Sequence, residues 1–233
     1  ERILEAAKSA FESGWRTIKL YFILGLPYET TEDAAGIGEL AEKMADVYFG
    51  IPKDVRNKGL KITVSTSILV PKPFTPFQWA PMARPEIVDE RIKAVRGAIK
   101  SRSIVYNYHE QETSFMEAVF ARGDRRTCDV LIKAFEKGAK FDGWSEYFNM
   151  EIWNEAMEEC NLDSEFYVYR EREYDEILPW DFIDIGVNRK YMERENEKAK
   201  KAELTKNCLE GCTGCGINVN FKEGKCFEGA IRN

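Results

Sequence analysis

Three cysteines near the end of the chain form the group of residues whose chemistry is easiest to recognise. Cys208, Cys212 and Cys215 are separated by three and by two residues, and Cys226 follows after another ten. Thiolate sulfurs bind zinc and iron–sulfur clusters, and the neighbouring glycines let the backbone turn tightly around an ion. We therefore predict one metal centre bound by these four cysteines, with zinc and iron left open because both accept thiolates. The alternative is a tail of free or disulfide-paired thiols.

The composition indicates a chain that can bury a core and that carries a net negative charge. Of its 233 residues, 44% are hydrophobic and 32% are charged, and the formal net charge is −6. This length suits one domain of ordinary size with appendages. The negative charge argues against nucleic acid as a partner.

The number of cysteines and the length of the apolar runs indicate where in the cell the protein is expected to lie. Six cysteines in a chain with a large core suit metal binding in a reducing compartment better than a secreted disulfide scaffold, so we expect a cytoplasmic protein. The longest apolar run, from Tyr21 to Leu26, is too short to span a membrane. Because the first residue is Glu1, we expect the sequence to be a piece of a longer protein.

Hydrophobic periodicity predicts alternating helices and strands in the first part of the chain. Helices are predicted at 2–13, 30–49, 85–101, 113–121 and 125–137, and strands at 16–24, 61–70 and 103–108. Thr30 is the predicted N-cap of the second helix, with Asp33 three residues on. The alternation is typical of parallel βαβ units and predicts an α/β fold.

Beyond Gly138 the pattern changes to a helical, aromatic-rich extension and then to the cysteine tail. Five aromatic residues are expected to pack this extension against the α/β part, with a ligand box as the alternative, namely Phe141, Trp144, Tyr147, Phe148 and Trp153. A further helix is predicted near 150–160, and the highly charged residues 189–203 are predicted to form a solvated helix or a linker. We therefore divide the chain into segments 1–138, 139–206 and 207–233.

The carboxyl ends of the three predicted strands are the expected places for a ligand, because α/β folds bind ligands there. At the first end, Gly25 permits a close backbone approach, and the amides after Pro27 lie at a helix N-terminus that suits an anion. Glu29 is placed to accept hydrogen bonds from a ligand. The alternative is a plain strand–turn–helix connector that Thr30 caps.

Two further polar residues follow the other strand ends. Lys72 lies in the proline-rich segment after the second strand, where it could bind an anionic substrate or remain solvated. His109, the single histidine, follows the third strand beside Glu110, which suits proton transfer or a structural role. Cys128 and Cys160 fall on predicted helices and are expected to be packed thiols.

Several of these segments resemble motifs of radical S-adenosylmethionine enzymes. Ile23–Thr30, with the sequence Ile-Leu-Gly-Leu-Pro-Tyr-Glu-Thr, resembles a strand-end motif of that family, and Val70–Phe77 resembles its proline-rich strand end. Leu178–Asp184, followed by Cys-Thr-Gly-Cys-Gly, resembles one branch whose full chains also carry an N-terminal cobalamin-binding-type region. The resemblance covers almost the whole chain.

This resemblance implies a fold, cofactors and a set of site residues. The fold would be the C-terminal half of a parallel β/α barrel, with three of six strands, a helical or irregular extension and a cysteine-rich tail. The cofactors would be S-adenosylmethionine and a four-iron–four-sulfur cluster, with cobalamin bound by an N-terminal region as an open option. The cofactor-binding positions would be Gly25, Pro27, Glu29, Thr30 and Pro73.

The chain also departs from the family pattern. Cys208, Cys212 and Cys215 have the spacing of the radical cluster ligands, but the family places those ligands early, after the first strand. Cys226 would close the fourth site, which implies structural zinc or an auxiliary cluster instead. The isolated chain is therefore expected to be inactive, with the missing N-terminal half of the same protein as its partner.

Two alternatives and one structural consequence remain open at this stage. The chain could be a non-catalytic module whose zinc knuckle and aromatic group bind a partner protein or RNA. As a second alternative, the full enzyme could modify tRNA, as relatives with the strand-end motif do, although nothing basic supports that. Half a barrel would leave an open strand edge, so we expect self-association or coverage by the C-terminal segments.

Overall fold

The computed structural model describes residues 1–220, so Cys226 lies outside the described residues. The elements are, in chain order, α1 Arg2–Glu12, β1 Thr17–Leu24, α2 Thr31–Gly50, β2 Lys61–Ile68, a 3₁₀ turn Pro76–Trp79, α3 Pro85–Ala98, β3 Ile104–Tyr108, α4 Gln111–Arg122, α5 Thr127–Glu136, α6 Met150–Glu159, α7 Ser164–Val168, α8 Arg189–Lys200 and α9 Ile217–Asn220. The predicted helices and strands are confirmed within a few residues. The 3₁₀ turn, α7 and α9 are short elements that the sequence did not predict.

The three strands form one parallel sheet in the order β1-β2-β3. The register pairs Thr17 with Lys61 through to Leu24 with Ile68, and Ile62 with Ile104 through to Thr66 with Tyr108. The predicted α/β class with parallel strands is therefore confirmed. Its assignment to half of a barrel stays a prediction.

Helices cover one face of this sheet and form its core. Ile62 and Val64 of β2 are fully buried on that face, together with Phe11 of α1 and Tyr48 of α2. The alternation of buried and partly exposed residues along β2 explains the pattern, because successive side chains of a strand point to opposite faces. Each fully buried side chain of this size contributes about 1.5–3 kcal/mol to folding.

The opposite face of the sheet is open. Tyr21 of β1 is 74% exposed, and Val105 of β3 is 44% exposed. A parallel sheet is normally covered on both faces, because its crossover connections place helices there. Within unit 1, only one face has that cover.

The chain divides into two compact units. The first, unit 1, comprises Glu1–Leu69 and Ala83–Ser114, and the second, unit 2, comprises Val70–Met82 and the chain from Phe115 onward. Unit 1 contains the whole sheet. The three segments proposed from the sequence stay a prediction.

Unit 2 is organised by buried polar groups as well as by apolar packing. Its apolar cluster consists of Trp79, Leu178, Trp180 and Met192. The Arg122 guanidinium is fully buried and donates to the backbone oxygens of Tyr167 at 2.8 Å and of Gln78 at 3.3 Å. Burial, which disfavours the charged form, lowers the pKa of Arg122 to about 9.

Part of the expected aromatic packing in the extension is wrong. Trp153 is buried, and its ring meets that of Phe120 edge to face at 5.5 Å. Phe141, Trp144 and Tyr147 are instead exposed. Their segment is mostly turns between α5 and α6, so no apolar helix face gathers them into a core.

Two further expectations concern the cysteines on helices and the absence of a membrane span. Cys128 lies in α5 as predicted but is exposed, and Cys160 at the end of α6 is half-buried, so the expectation of packed thiols is wrong for Cys128. Over residues 1–220, no helix is both long enough and apolar enough to cross a membrane.

Candidate functional site

The turn that follows β1 has a backbone conformation that glycine adopts easily and that strains other residues. Gly25 is buried with φ +77°, and a Cβ atom there would lie 3.0 Å from the Cβ of Ala83. Tyr28 also has a positive φ, of 69°. Positive φ costs non-glycine residues about 1 kcal/mol or more, so contacts within the turn must compensate.

Glu29 provides those contacts. Its two carboxylate oxygens accept hydrogen bonds from the backbone amides of Gly25 and Leu26, both at 3.3 Å. Arg91 of α3 lies 3.4 Å from the same carboxylate and donates to the Glu29 backbone oxygen at 3.0 Å. The Glu29 carboxylate therefore helps to shape the turn, and the ligand-accepting role predicted for it stays a prediction.

The electrostatics of Glu29 follow from its burial. Its side chain is 7% exposed and that of Arg91 is 12% exposed. Burial is the largest influence and raises the pKa of the Glu29 carboxyl, while the two amides and the charge of Arg91 act in the opposite direction.

The N-terminus of α2 is capped from within the chain. The Thr30 hydroxyl accepts from the Asp33 amide at 3.1 Å, and the Asp33 carboxylate accepts from the Thr30 amide at 2.9 Å. This capping box confirms Thr30 as the N-cap. Because these amides already have acceptors and Asp33 is negative, an anion bound there would have to displace them.

Arg91 also joins the start of α2 to α3. Its guanidinium donates to the hydroxyl of Thr31 and to Glu90, at 3.0 Å for the latter. Hydrogen bonds from Thr30 lower the pKa of Asp33, and those from Thr31 lower that of Glu90. Sequence periodicity did not identify Arg91, because a lone arginine on a helix usually faces solvent.

Lys72 and Pro73 belong to unit 2 and lie in different surroundings. The Lys72 ammonium forms an ion pair with Glu117, and both side chains are about half exposed. Pro73 lines a cavity of about 710 Å³ together with Phe74 and Trp180. An anionic substrate at Lys72 would therefore compete with Glu117.

The position of the following loop depends on a buried amide that sequence reasoning missed. The Gln78 side-chain oxygen accepts from the Trp180 indole at 2.7 Å and from the Phe74 amide at 3.1 Å. Asp181 accepts from the Leu178 amide and forms an ion pair with Arg189 at 2.7 Å. These contacts explain the Leu-Pro-Trp-Asp sequence as the segment that holds the proline-rich loop.

His109 lies in unit 1, immediately after β3. Its backbone amide donates to the Thr66 oxygen at 3.0 Å, which extends the strand pairing by one step. Its side chain is exposed. The position matches the predicted strand end, and the proposed part in proton transfer stays a prediction.

The described part of the cysteine tail docks on the start of α8. The Asn188 amide donates to the Cys215 backbone oxygen at 2.8 Å, and Gly216, with φ +102°, packs so closely that a Cβ would lie 2.7 Å from the Asn188 side chain. Cys208 and Cys212 are exposed. The thiolate donor set suits zinc or iron, but within residues 1–220 no three His, Cys, Asp or Glu side chains are grouped to bind a metal.

Comparisons with known proteins leave the family of the chain open. An uncharacterized protein of Methanocaldococcus jannaschii is 29% identical over 129 residues. The match covers 55% of this chain and 26% of that protein, so the chain spans about a quarter of the length of the curated relative it matches. No family model and no solved structure matches the chain.

Replacing Arg91 should destabilise the protein strongly. Arg91→Ala would leave the buried Glu29 carboxylate without its counter-charge, and we expect the free energy of unfolding to fall by about 3 kcal/mol. Urea denaturation measures this loss. Lys8→Ala, which removes an exposed helical ion pair, is the control and should change stability by less than about 0.5 kcal/mol. Equal effects of the two variants would contradict the role of Arg91.

The raised pKa of Glu29 predicts a pH-dependent difference between the wild type and Glu29→Gln. The folded protein binds the proton of the Glu29 carboxyl more tightly than the unfolded chain does. The stabilisation from this proton is therefore present at low pH and is lost as the pH rises through the pKa of Glu29 in the folded state. Between about pH 4 and pH 7, the wild type should lose stability relative to Glu29→Gln. Urea titrations at each pH measure the difference, and a relative gain by the wild type would contradict it.

The metal prediction is tested by analysing anaerobically purified protein for zinc, iron and acid-labile sulfide. We expect one metal centre that is lost in Cys212→Ser and Cys215→Ser and kept in the control Cys128→Ser, because Cys128 lies in α5 and is not one of the four predicted ligands. Iron with sulfide would indicate a cluster, and zinc alone would indicate a structural knuckle. Absence of both metals from the wild type would refute the site.

Proposed function

We propose that this chain is the C-terminal part of a radical S-adenosylmethionine iron–sulfur enzyme. The observation that carries the proposal is a parallel sheet whose helices cover one face, with the Gly-Leu-Pro-Tyr-Glu-Thr turn at its carboxyl end. Such a sheet suits the wall of a barrel whose other strands belong to the rest of the protein. The match to about a quarter of a longer relative is compatible with that arrangement.

In the whole protein, S-adenosylmethionine would be cleaved reductively. One electron from a reduced four-iron–four-sulfur cluster would break the sulfonium C5′–S bond, giving methionine and a deoxyadenosyl radical that takes a hydrogen atom from a substrate. The ligands of that cluster would come from the missing N-terminal half, so the isolated chain would be inactive. A cobalamin would also bind outside this chain, in the N-terminal region that the branch resemblance implies.

Most of the candidate residues of this chain would shape the site, and His109 and Lys72 are its candidates for catalytic roles. Gly25 would admit the cofactor close to the backbone, and Pro27 and Thr30 would fix the turn. Glu29 would orient the turn by accepting hydrogen bonds from its two backbone amides. Pro73 would contribute from the next strand end. His109 and Lys72 are the candidates for contact with the substrate. We place the enzyme in the cytoplasm because its cysteines suit a reducing compartment.

A second function is favoured by one observation. The exposed rings of Phe141, Trp144 and Tyr147 are large apolar groups on the surface of unit 2, which suits a non-catalytic interaction module. The net charge of −6 makes a protein a better partner than RNA. In this case, binding would depend on these three rings and not on the strand-end turn.

The test of the enzyme proposal uses the full-length protein, reconstituted anaerobically with iron and sulfide and reduced with dithionite. Mass spectrometry should detect deoxyadenosine formed from S-adenosylmethionine, and the 233-residue chain alone should form none. Gly25→Ala should slow the full-length reaction by about tenfold or more, because a Cβ would distort the turn.

Gly36→Ala is the matched control for this experiment. Gly36 lies in α2 with open space around its Cβ position, so alanine should preserve the rate and slightly stabilise the helix. A cluster-loaded full-length protein that forms no deoxyadenosine would refute the enzyme proposal. Equal slowing by both variants would refute the role of the turn.

A further inference from the structure

The cavity of about 710 Å³ that Pro73 lines is formed by residues of unit 2. Its walls are mainly apolar and include three aromatic rings; the principal members are Phe74, Pro179, Trp180, Phe182 and Ile183. Phe182 is 83% exposed, so a ligand in the cavity would cover apolar surface that the described chain leaves bare. Small-molecule sites have volumes of about 300–1,000 Å³ and mostly hydrophobic walls. We name this cavity the aromatic cleft.

A buried amide and a glycine hold the walls of the aromatic cleft in place. The Gln78 side-chain oxygen accepts from both the Trp180 indole and the Phe74 amide, so it joins two of the three rings. At Gly123, which also lines the cleft, a Cβ atom would lie 2.3 Å from the Thr127 side chain. These contacts lie within the chain itself, so the cleft is preformed and a ligand would not have to order it.

The charged residues of the lining leave one positive charge uncommitted. Asp124, the carboxylate among the described lining residues, forms an ion pair with Arg126 at 2.6 Å and accepts from the Tyr167 hydroxyl at 2.9 Å. Hydrogen bonds from Arg126 hold the pKa of Asp124 well below its usual range, so this carboxylate stays ionised and paired. Arg125 is exposed, and its guanidinium has no partner among the described residues.

Two buried arginines behind the lining add to the positive charge. Arg122 and Arg172 are 0% and 3% exposed, and within residues 1–220 neither forms an ion pair with a carboxylate. The Arg172 guanidinium lies 5.0 Å from the centre of the Trp180 ring, and two of its nitrogens have no hydrogen-bond partner in the described structure. An anion in the cleft would therefore be attracted by these charges as well as by an exposed arginine.

The other charges that flank the lining in the sequence do not cancel this balance. Lys72 is paired with Glu117, and Asp181 is paired with Arg189 at 2.7 Å. Asp184 is a negative charge without such a pair, but it lines a neighbouring cavity of about 250 Å³ instead. Positive charge therefore exceeds negative charge around the aromatic cleft, in a chain whose net charge is −6.

We propose that the aromatic cleft binds a small molecule with a flat apolar body and one carboxylate group. The aromatic rings would pack against the body, and Arg125 would bind the carboxylate, because a guanidinium can donate two parallel hydrogen bonds to it. A cationic ligand would be repelled by the surplus positive charge, and a neutral one would gain little from Arg125. The inference goes beyond the proposed function, because this binding needs neither S-adenosylmethionine nor a cluster.

Three probes of nearly equal shape test the charge preference. Indole-3-acetate, indole-3-acetamide and tryptamine share a flat indole ring and carry a negative charge, no charge and a positive charge at neutral pH. We would titrate each into the full-length protein, as purified, by isothermal titration calorimetry. Indole-3-acetate should bind at least about fivefold more tightly than the amide and at least about tenfold more tightly than the amine.

Two variants locate the binding and separate its two parts. Arg125→Gln should weaken indole-3-acetate binding about fivefold and leave the amide unchanged, because Arg125 contacts the carboxylate alone. Phe182→Ala should weaken both ligands by a similar factor of about five, because its exposed ring packs on the indole. Both changes affect exposed side chains, and thermal unfolding checks that each variant is folded.

Each variant has a matched control outside the lining. Arg102→Gln removes an exposed arginine of unit 1, and Phe135→Ala removes a ring of α5 that is 64% exposed. Neither residue lines the cleft, so both controls should leave the two affinities unchanged.

Three results would overturn the inference. They are binding of indole-3-acetamide as tight as that of indole-3-acetate, an indole-3-acetate affinity that neither variant lowers relative to its control, and no saturable binding of indole-3-acetate at millimolar concentrations. The titrations contain no S-adenosylmethionine and no added cluster. Any of these results would therefore remove the ligand of the aromatic cleft and leave the deoxyadenosine test of the proposed function standing.

Discussion

The arrangement of this protein depends on how many faces of the sheet its helices cover. Parallel strands need crossover connections, and in this chain those connections bring helices to one face of the sheet. That face holds the apolar core, with Ile62 and Val64 at its centre. The other face keeps its polar residues and its exposed Tyr21 because no helix of unit 1 covers it. The same constraint explains both the buried core and the open face of the sheet.

The strand-end turn shows how a buried ion pair stabilises a strained backbone. Gly25 and Tyr28 both have positive φ, and Glu29 fixes their segment by accepting from two amides while Arg91 balances its charge. A carboxylate in this position is costly to bury alone, so the turn and α3 depend on each other. A site built on this turn would therefore be preorganised.

Unit 2 uses buried polar groups in a similar way. Gln78 connects the proline-rich loop to Trp180, and Arg122 donates to several backbone oxygens in place of a carboxylate. The docking of Cys215 on Asn188 places part of the tail on α8. This arrangement gives the described part of the cysteine tail a defined contact with the rest of unit 2.

The sequence by itself determined the longer helices, the strands, their parallel direction and the capping of α2 by Thr30, because these follow from local periodicity and from side chains a few residues apart. It could not assign Arg91 to Glu29 or Gln78 to Trp180, because those pairs are joined only by folding across long sequence separations. It also led to a wrong expectation for Phe141, Trp144 and Tyr147, since hydrophobic character does not show whether a partner surface exists. Only the tertiary structure decided that Glu29 faces inward and that the sheet face around Tyr21 lies open, because burial depends on what the rest of the chain places nearby.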